Sequence, residues 1–275
     1  MIPEKADLEK ILLALKSNSS YDLSNYSLNS MGRRFGKIMT DFKIDVEDLI
    51  VKINTDPSFS EILLKKITVN TTELFRDPKI WINLRENILP LFEDRDEIRV
   101  WHPGCSTGQE VYSMMILLDS MNLLEKAQIV ASDINEDVMD VARGGEYKYR
   151  FNKESLKNFR TSFQLEEKIF RDETKKYFSI NELQDVLKMN DFLVKKPVYK
   201  KIDLVQNDNL FGEKFDIIIC RNVIIYFNYE LQNKVLNLFY NTMSDKSCLI
   251  LGLHESIIGP YSSKFLKKKT VYFKS

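Results

Sequence analysis

The stretch IRVWHPGCSTGQEVYSMMILLDSMNLLEKAQIVASD, residues 98–133, decides the fold. IRVWHPG is an apolar run that stops at Gly104, QEVYSMMILLDSM reads as a helix, and QIVASD at 128–133 is a second strand-like run ending on an acid. Strand, glycine turn, helix and strand in that order make a βαβ unit, so the two strands should lie parallel in one sheet. A helix at about 136–143 continues the pattern. Further on, FDIIIC at 215–220 suits a fully buried central strand, a helix is expected at about 229–243, SCLILGL is a strand, and KKTVYFKS alternates in strand fashion.

Outward from this α/β core the texture changes on both sides. DLEKILLALK (7–16) and DVEDLIVKI (45–53) space their apolar residues by three and four behind an aspartate, the signature of capped amphipathic helices. With 31–42 between them they predict an all-helical domain over residues 1–66, followed by a linker segment at 67–97. The sheet domain should occupy 98–275, interrupted by an inserted subdomain at about 144–202 with weak strand signals near 186–202. That insert is basic, with 15 Lys and Arg against nine Asp and Glu over 143–202.

Composition narrows the function. Forty basic and 40 acidic residues give no formal net charge, which removes the usual electrostatic footprint of a nucleic-acid binder. No apolar run reaches the roughly 18 to 20 residues of a membrane span. The N-terminus mixes charges and lacks an apolar signal core, so a cytoplasmic chain with no direct membrane insertion is expected. Three scattered cysteines and two histidines, His102 and His254, suggest neither a disulfide framework nor a metal site. Cys105 lies in the glycine turn and Cys220 ends the 215–220 strand, but no histidine is placed to activate them, so they read as small hydrophobes.

The turn itself, VWHPGCSTGQE at 100–110, sets Gly104 and Gly108 at the carboxyl edge of the sheet, where doubly wound folds bind ligands. Asp133 ends the following strand, where a carboxylate can accept from both hydroxyls of a ribose. The turn lacks the G-x-G-x-x-G spacing that seats a pyrophosphate, which favours S-adenosyl-L-methionine (AdoMet) over a dinucleotide. Glu110 is placed to meet a cationic ligand group, although a carboxylate in the first turn of a helix is also favoured by the helix dipole alone.

Four blocks give the chain a specific resemblance: ITVNTTELFRDP (67–78), VWHPGCSTGQEVYS (100–113), ASDINEDVMDVARGGEY (131–147) and FDIIICRNVIIYF (215–227). In their order and spacing the sequence resembles the CheR family of protein-glutamate O-methyltransferases from YDLSNY at 21 to VYFK at 271. The resemblance implies a Rossmann-like class I AdoMet methyltransferase fold, with AdoMet as cofactor, S-adenosyl-L-homocysteine as product and no metal. It adds cofactor contacts to the 67–97 linker segment, on Asn70, Thr72 and Arg76, and places others on Gly104, Glu110, Asp133, Asp203, Leu204, Arg221 and Asn222. Arg76 and Tyr226 would line the methyl end as the catalytic pair. The chain departs from the family pattern at Leu74–Phe75 (usually Phe-Phe), Gln109–Glu110–Val111 (usually Glu-Glu-Pro) and Asp203 (usually Asn), and none of these changes removes a charged contact.

The implied substrate is the cytoplasmic domain of a chemotaxis receptor, methylated on glutamate by a monomeric enzyme. A glutamate of pKa about 4.3 is already ionised at neutral pH, so the reaction needs placement rather than a general base. MGRRFGKIMTDFK (31–43) sets Met31, Phe35, Ile38 and Phe42 at helical spacing with Arg33, Arg34 and Lys37 largely off that stripe, a basic face suited to an acidic receptor helix. In the family the inserted subdomain can dock a receptor's C-terminal peptide by strand addition. Three other readings stand beside this one: a small-molecule or nucleic-acid methyltransferase, a CheR-like enzyme of another sensory pathway, and a non-catalytic AdoMet-binding docking module.

Overall fold

The computed structural model describes residues 2–19, 21–68, 71–206 and 212–275. Four helices come first: α1 (Lys5–Asn18), α2 (Leu28–Phe42), α3 (Val46–Thr55) and α4 (Pro57–Ile67). The Asp45 side chain accepts from the Asp48 amide, and Asp48 accepts in return from the Asp45 amide, which fixes the start of α3. Asp56 caps α4, with Pro57 at the first helical position. Leu8, Ile11, Phe35, Leu49 and Leu63 from all four helices close a small core of their own.

After α5 (Pro78–Asn83) the chain continues through a π turn and a 3-10 turn to Phe92. It then runs through β1 (Ile98–Pro103), α6 (Gln109–Ser120), β2 (Ala127–Asp133), α7 (Glu136–Gly144) and β3 (Glu146–Lys148). Next come α8 (Tyr149–Phe163), α9 (Glu167–Tyr177), β4 (Phe178–Asn181), β5 (Val186–Met189), α10 (Asp191–Val194) and β6 (Val198–Lys201). The last part is β7 (Phe215–Cys220), α11 (Tyr229–Thr242), β8 (Met243–Leu251), β9 (Phe265–Lys268) and β10 (Val271–Lys274).

The main sheet has the order β6-β2-β1-β7-β8-β10-β9. Strands β6, β2, β1, β7 and β8 run parallel, and β10 and β9 add antiparallel at one edge. From β1 the chain winds outward through β2 to β6, and from β7 it winds the other way. The switch point therefore lies between β1 and β7, and it opens a crevice at their carboxyl ends. Every residue of β7 is buried, as its unbroken apolar run predicts. Helix α6 is buried almost all round because it is enclosed between sheet and insert.

Two of the expected boundaries are corrected. The segment expected as a linker is packed from Leu74 on: Leu74, Phe75, Ile80, Trp81, Leu84 and Ile88 are built into the main core. Val198–Lys201, counted with the insert on its polarity, pairs parallel with β2 and belongs to the main sheet as its exposed edge. The insert proper contains α8, α9 and a three-stranded antiparallel sheet, β3-β5-β4. It is fastened by an aromatic cluster in which Phe159 meets Phe75 at 5.2 Å, Phe163 at 5.0 Å and Phe178 at 5.6 Å.

Candidate active site

Two turns meet at the crevice. The turn after β1 starts at Gly104, whose φ of +71° suits glycine, and a Cβ there would lie 2.6 Å from Val223 Cγ2 in the turn after β7. It returns its backbone to the end of β2: Cys105 N donates to Ser132 O (2.9 Å) and Ser106 N to Asp133 Oδ2 (2.9 Å). Asp133 Oδ1 accepts from Asn135 N at 3.0 Å. Backbone amides thus meet both carboxylate oxygens, and a carboxylate has about four acceptor positions, so capacity remains for a ligand hydroxyl. Burial pushes the Asp133 pKa up against the lowering effect of those amides.

Arg221 leaves the end of β7 with its side chain 1% exposed. Its Nη1 donates to Glu110 Oε2 at 3.0 Å, and its Nη2 to Asp77 Oδ2 at 2.6 Å and to the Arg76 carbonyl at 3.0 Å. One buried guanidinium therefore ties the start of α6 to the 71–78 segment. Loss of either carboxylate would leave a buried charge short of a partner, a costly state. Arg76 sits between two left-handed residues, Phe75 (φ 53°) and Asp77 (φ 59°), so its side chain is presented by a sharply folded backbone. That backbone is held by Phe75 N donating to Ser113 Oγ (2.8 Å) and by Trp81 Nε1 donating to the Arg76 carbonyl (2.9 Å).

The crevice is lined by Arg76, Thr72, Gly104, Glu110, Asp133, Asp203, Leu204, Arg221, Asn222 and Tyr226, so the structure gathers nearly all the expected site residues on one cavity wall. Asn70 lies outside the described residues. Asp203 follows β6, accepts from Val205 N at 2.8 Å, and has its pKa raised by burial. Asn222 is left-handed (φ 61°) and half-buried. Arg33 and Lys37 are exposed on α2, as a docking face requires. Arg34 differs from that expectation. It is half-buried, donates to the Ile67 carbonyl, lies 5.2 Å from the centre of the Tyr226 ring and lines the crevice. Cys105 and Cys220 are buried, and burial pushes both thiols well up, which disfavours a nucleophilic thiolate.

Three further residues belong to the site. Asp77 is the second carboxylate on Arg221, and its position beside Arg76 in the FRDP run was the available signal. Tyr26 lines the crevice from the helical domain and meets Phe227 edge-on at 5.1 Å. Glu255, in the loop after β8, accepts from the backbone of the Asn222 turn, and nothing in its local sequence announces that.

The donor set fits AdoMet. Asp133 offers a buried acceptor for ribose hydroxyls, and Glu110 can face an ammonium while Arg221 holds it in place. Arg221 Nε, buried and without a partner among the described residues, is a donor still open to an acceptor. Among the described residues no group of His, Cys, Asp and Glu could hold a metal ion. Fold and site together define a Rossmann-like methyltransferase that uses AdoMet. The family model described as CheR methyltransferase, SAM binding domain, matches residues 70–272, and the chain belongs to that family.

The chain is 32% identical over 274 residues to a Pseudomonas putida protein carrying the name methyltransferase Cher3, covering 98% of this chain and 97% of that one. It is 32% identical over 222 residues to a chemotaxis protein methyltransferase of Borreliella burgdorferi, covering 76% and 72%. It is 28% identical over 267 residues to the protein of that name from Listeria monocytogenes, covering 94% of each. The fold class, the cofactor and methyltransferase activity expected from sequence are borne out.

Proposed function

We propose that this chain methylates glutamate side chains on the cytoplasmic domain of a chemotaxis receptor, acting as a cytoplasmic monomer. The names of its relatives support the pathway, and the observation that carries the chemistry is Arg76. Its guanidinium lines the crevice with no ion pair or hydrogen bond of its own among the described residues, beside the Glu110–Arg221–Asp77 network whose three charges satisfy one another. An unspent cation at that point suits an incoming carboxylate.

AdoMet supplies an electrophilic methyl on a sulfonium and leaves as S-adenosyl-L-homocysteine. Arg76 and Tyr226 would hold the substrate carboxylate so that one oxygen faces that methyl in line, and the apolar side chains of Leu204 and Val223 exclude water from the nucleophile. Orientation rather than charge pairing is the role of Arg76. Too strong a pairing would favour the ionised ground state over the charge-dispersed transition state.

The test is transfer of labelled methyl from AdoMet to a receptor's cytoplasmic domain, recovered as alkali-labile methanol. Arg76→Ala should lower kcat by roughly 30-fold, about 2 kcal/mol of lost charge-assisted hydrogen bonding, with cooperative melting retained. Arg76→Lys should rescue poorly, because an ammonium lacks the planar fork. Near wild-type methylation by Arg76→Ala would show that the carboxylate is held elsewhere.

A further inference from the structure

The loop after β8 contains a buried carboxylate that no ion pair explains. Glu255 is 7% exposed, and its two oxygens accept four backbone amides. Oε2 takes Gly252 N at 2.7 Å and Asn222 N at 2.8 Å, while Oε1 takes Val223 N at 3.0 Å and Ile225 N at 3.2 Å. Three of these donors belong to the turn after β7, the one that carries Asn222, Val223 and Tyr226 to the crevice. That turn needs an anchor, since Asn222 is left-handed and the residues after it form only a short 3-10 turn, Ile224–Tyr226. The approach is close from the other side too: a Cβ on Gly252 would lie 2.8 Å from Glu255 Oε2 and 3.2 Å from Asn222 N.

We infer that Glu255 is a positioning residue for methyl transfer, its ionised carboxylate fixing the turn that places Asn222, Val223 and Tyr226. An ionised carboxylate only accepts, so it can satisfy four converging N–H groups at once. A neutral amide of the same shape turns an NH2 toward two of them and cannot. Buried amides left unpaired or repelled would shift the turn, and a small displacement at the methyl end is costly in turnover. This inference rests on the proposed reading of Tyr226 and Asn222 as site residues. It adds that the charge of Glu255, and not its bulk, sets their geometry.

The experiment compares Glu255→Gln with Glu255→Asp in the full chain, with AdoMet affinity by calorimetry, kcat and receptor KM, and thermal melting as readouts. For Glu255→Gln the expected result is a kcat at least about tenfold lower and AdoMet binding weakened about threefold or more. Receptor KM should stay within about twofold, because the exposed Arg33 and Lys37 face is untouched. Glu255→Asp, shorter but ionised, should retain more of both activities than the isosteric Gln. If Gln equals or exceeds Asp, or if both behave as wild type, the inference is overturned. Failure of both to fold would also overturn it, by making the carboxylate a requirement of the fold rather than of the site. A wild-type chain that binds AdoMet but leaves the receptor unmethylated would refute the substrate reading alone, and the AdoMet affinities would still decide Glu255.

Discussion

Asp133 is a crevice residue whose chemistry is exposed to pH. Burial raises its pKa in the folded chain, so between the usual carboxylate range and that raised value the native state binds more protons than the unfolded one. Its contribution to stability is therefore full below the unfolded pKa and is lost as pH rises through the folded value. Ligand binding has the opposite sense, because ribose hydroxyls donate best to the ionised form. AdoMet affinity should thus fall on acidification from neutral pH, beginning above the usual carboxylate range. Asp203 and Glu255, also raised by burial, act in the same direction. Asp133→Asn isolates the share of Asp133: it should weaken binding by about 1 to 3 kcal/mol at neutral pH and flatten the acid decline. Calorimetry across the range checks both, and wild-type affinity in the folded variant would place the ribose elsewhere.

At the scale of one element, α2 divides its basic residues between two tasks. Arg33 and Lys37 are four residues apart and share an exposed face. Arg34, three residues after Met31 and four before Ile38, is turned by about 100° toward the buried stripe. It ends over Tyr226 while Met31, Phe35 and Ile38 enter the helical core. Charge reversal of Arg33 and Lys37 together should raise receptor KM by roughly three- to tenfold and flatten its salt dependence, with AdoMet affinity unchanged. Arg34→Ala should instead lower kcat, since it removes the cation that rests against the Tyr226 ring. Steady-state kinetics at two ionic strengths separate the two effects, and a wild-type KM and salt response for the double reversal would make that face a plain solvated surface. The heptad-like spacing of α2 was legible in the sequence, but which cation faces the cleft depends on α4, whose Ile67 carbonyl receives Arg34.

At the scale of the molecule, the helical domain is joined to the sheet domain at the site itself. Ser27 N donates to the Tyr226 carbonyl (2.8 Å), Asn228 N to the Asn25 carbonyl (2.9 Å), and Tyr26 packs on Phe227. The segment that holds Tyr226 is therefore pinned from one side by the helical domain and from the other by Glu255. Asn228 also caps α11 by accepting from Leu231 N at 2.9 Å and donates its amide to Asn25 Oδ1 at 3.3 Å. Asn228→Ala should lower unfolding stability by about 1 kcal/mol through the lost cap. It should lower kcat as well, because the same side chain braces the domain junction. Denaturant unfolding with parallel kinetics checks this, and an unchanged midpoint would remove the cap from the account.

The sequence by itself determined the parallel α/β core and the helical domain, because these are written in local periods, and it marked the crevice through a glycine turn, a strand-end acid and the family resemblance that adds Arg221. Gly104, Glu110, Asp133 and Arg221 each follow a strand or begin a helix, and the backbone geometry of a doubly wound sheet brings strand ends together wherever they stand in the chain. Only the tertiary structure decided that Leu74, Phe75, Ile80, Trp81, Leu84 and Ile88 enter the main core, that Val198–Lys201 completes the main sheet, and that Arg34 lines the crevice while Asp77 holds Arg221 and Glu255 holds the Asn222 turn. Those assignments rest on partners 33, 144 and 33 positions away in the chain. A hydrogen bond across such a separation leaves no period in the local sequence, since it is fixed by packing of whole elements and not by the conformation of its own segment.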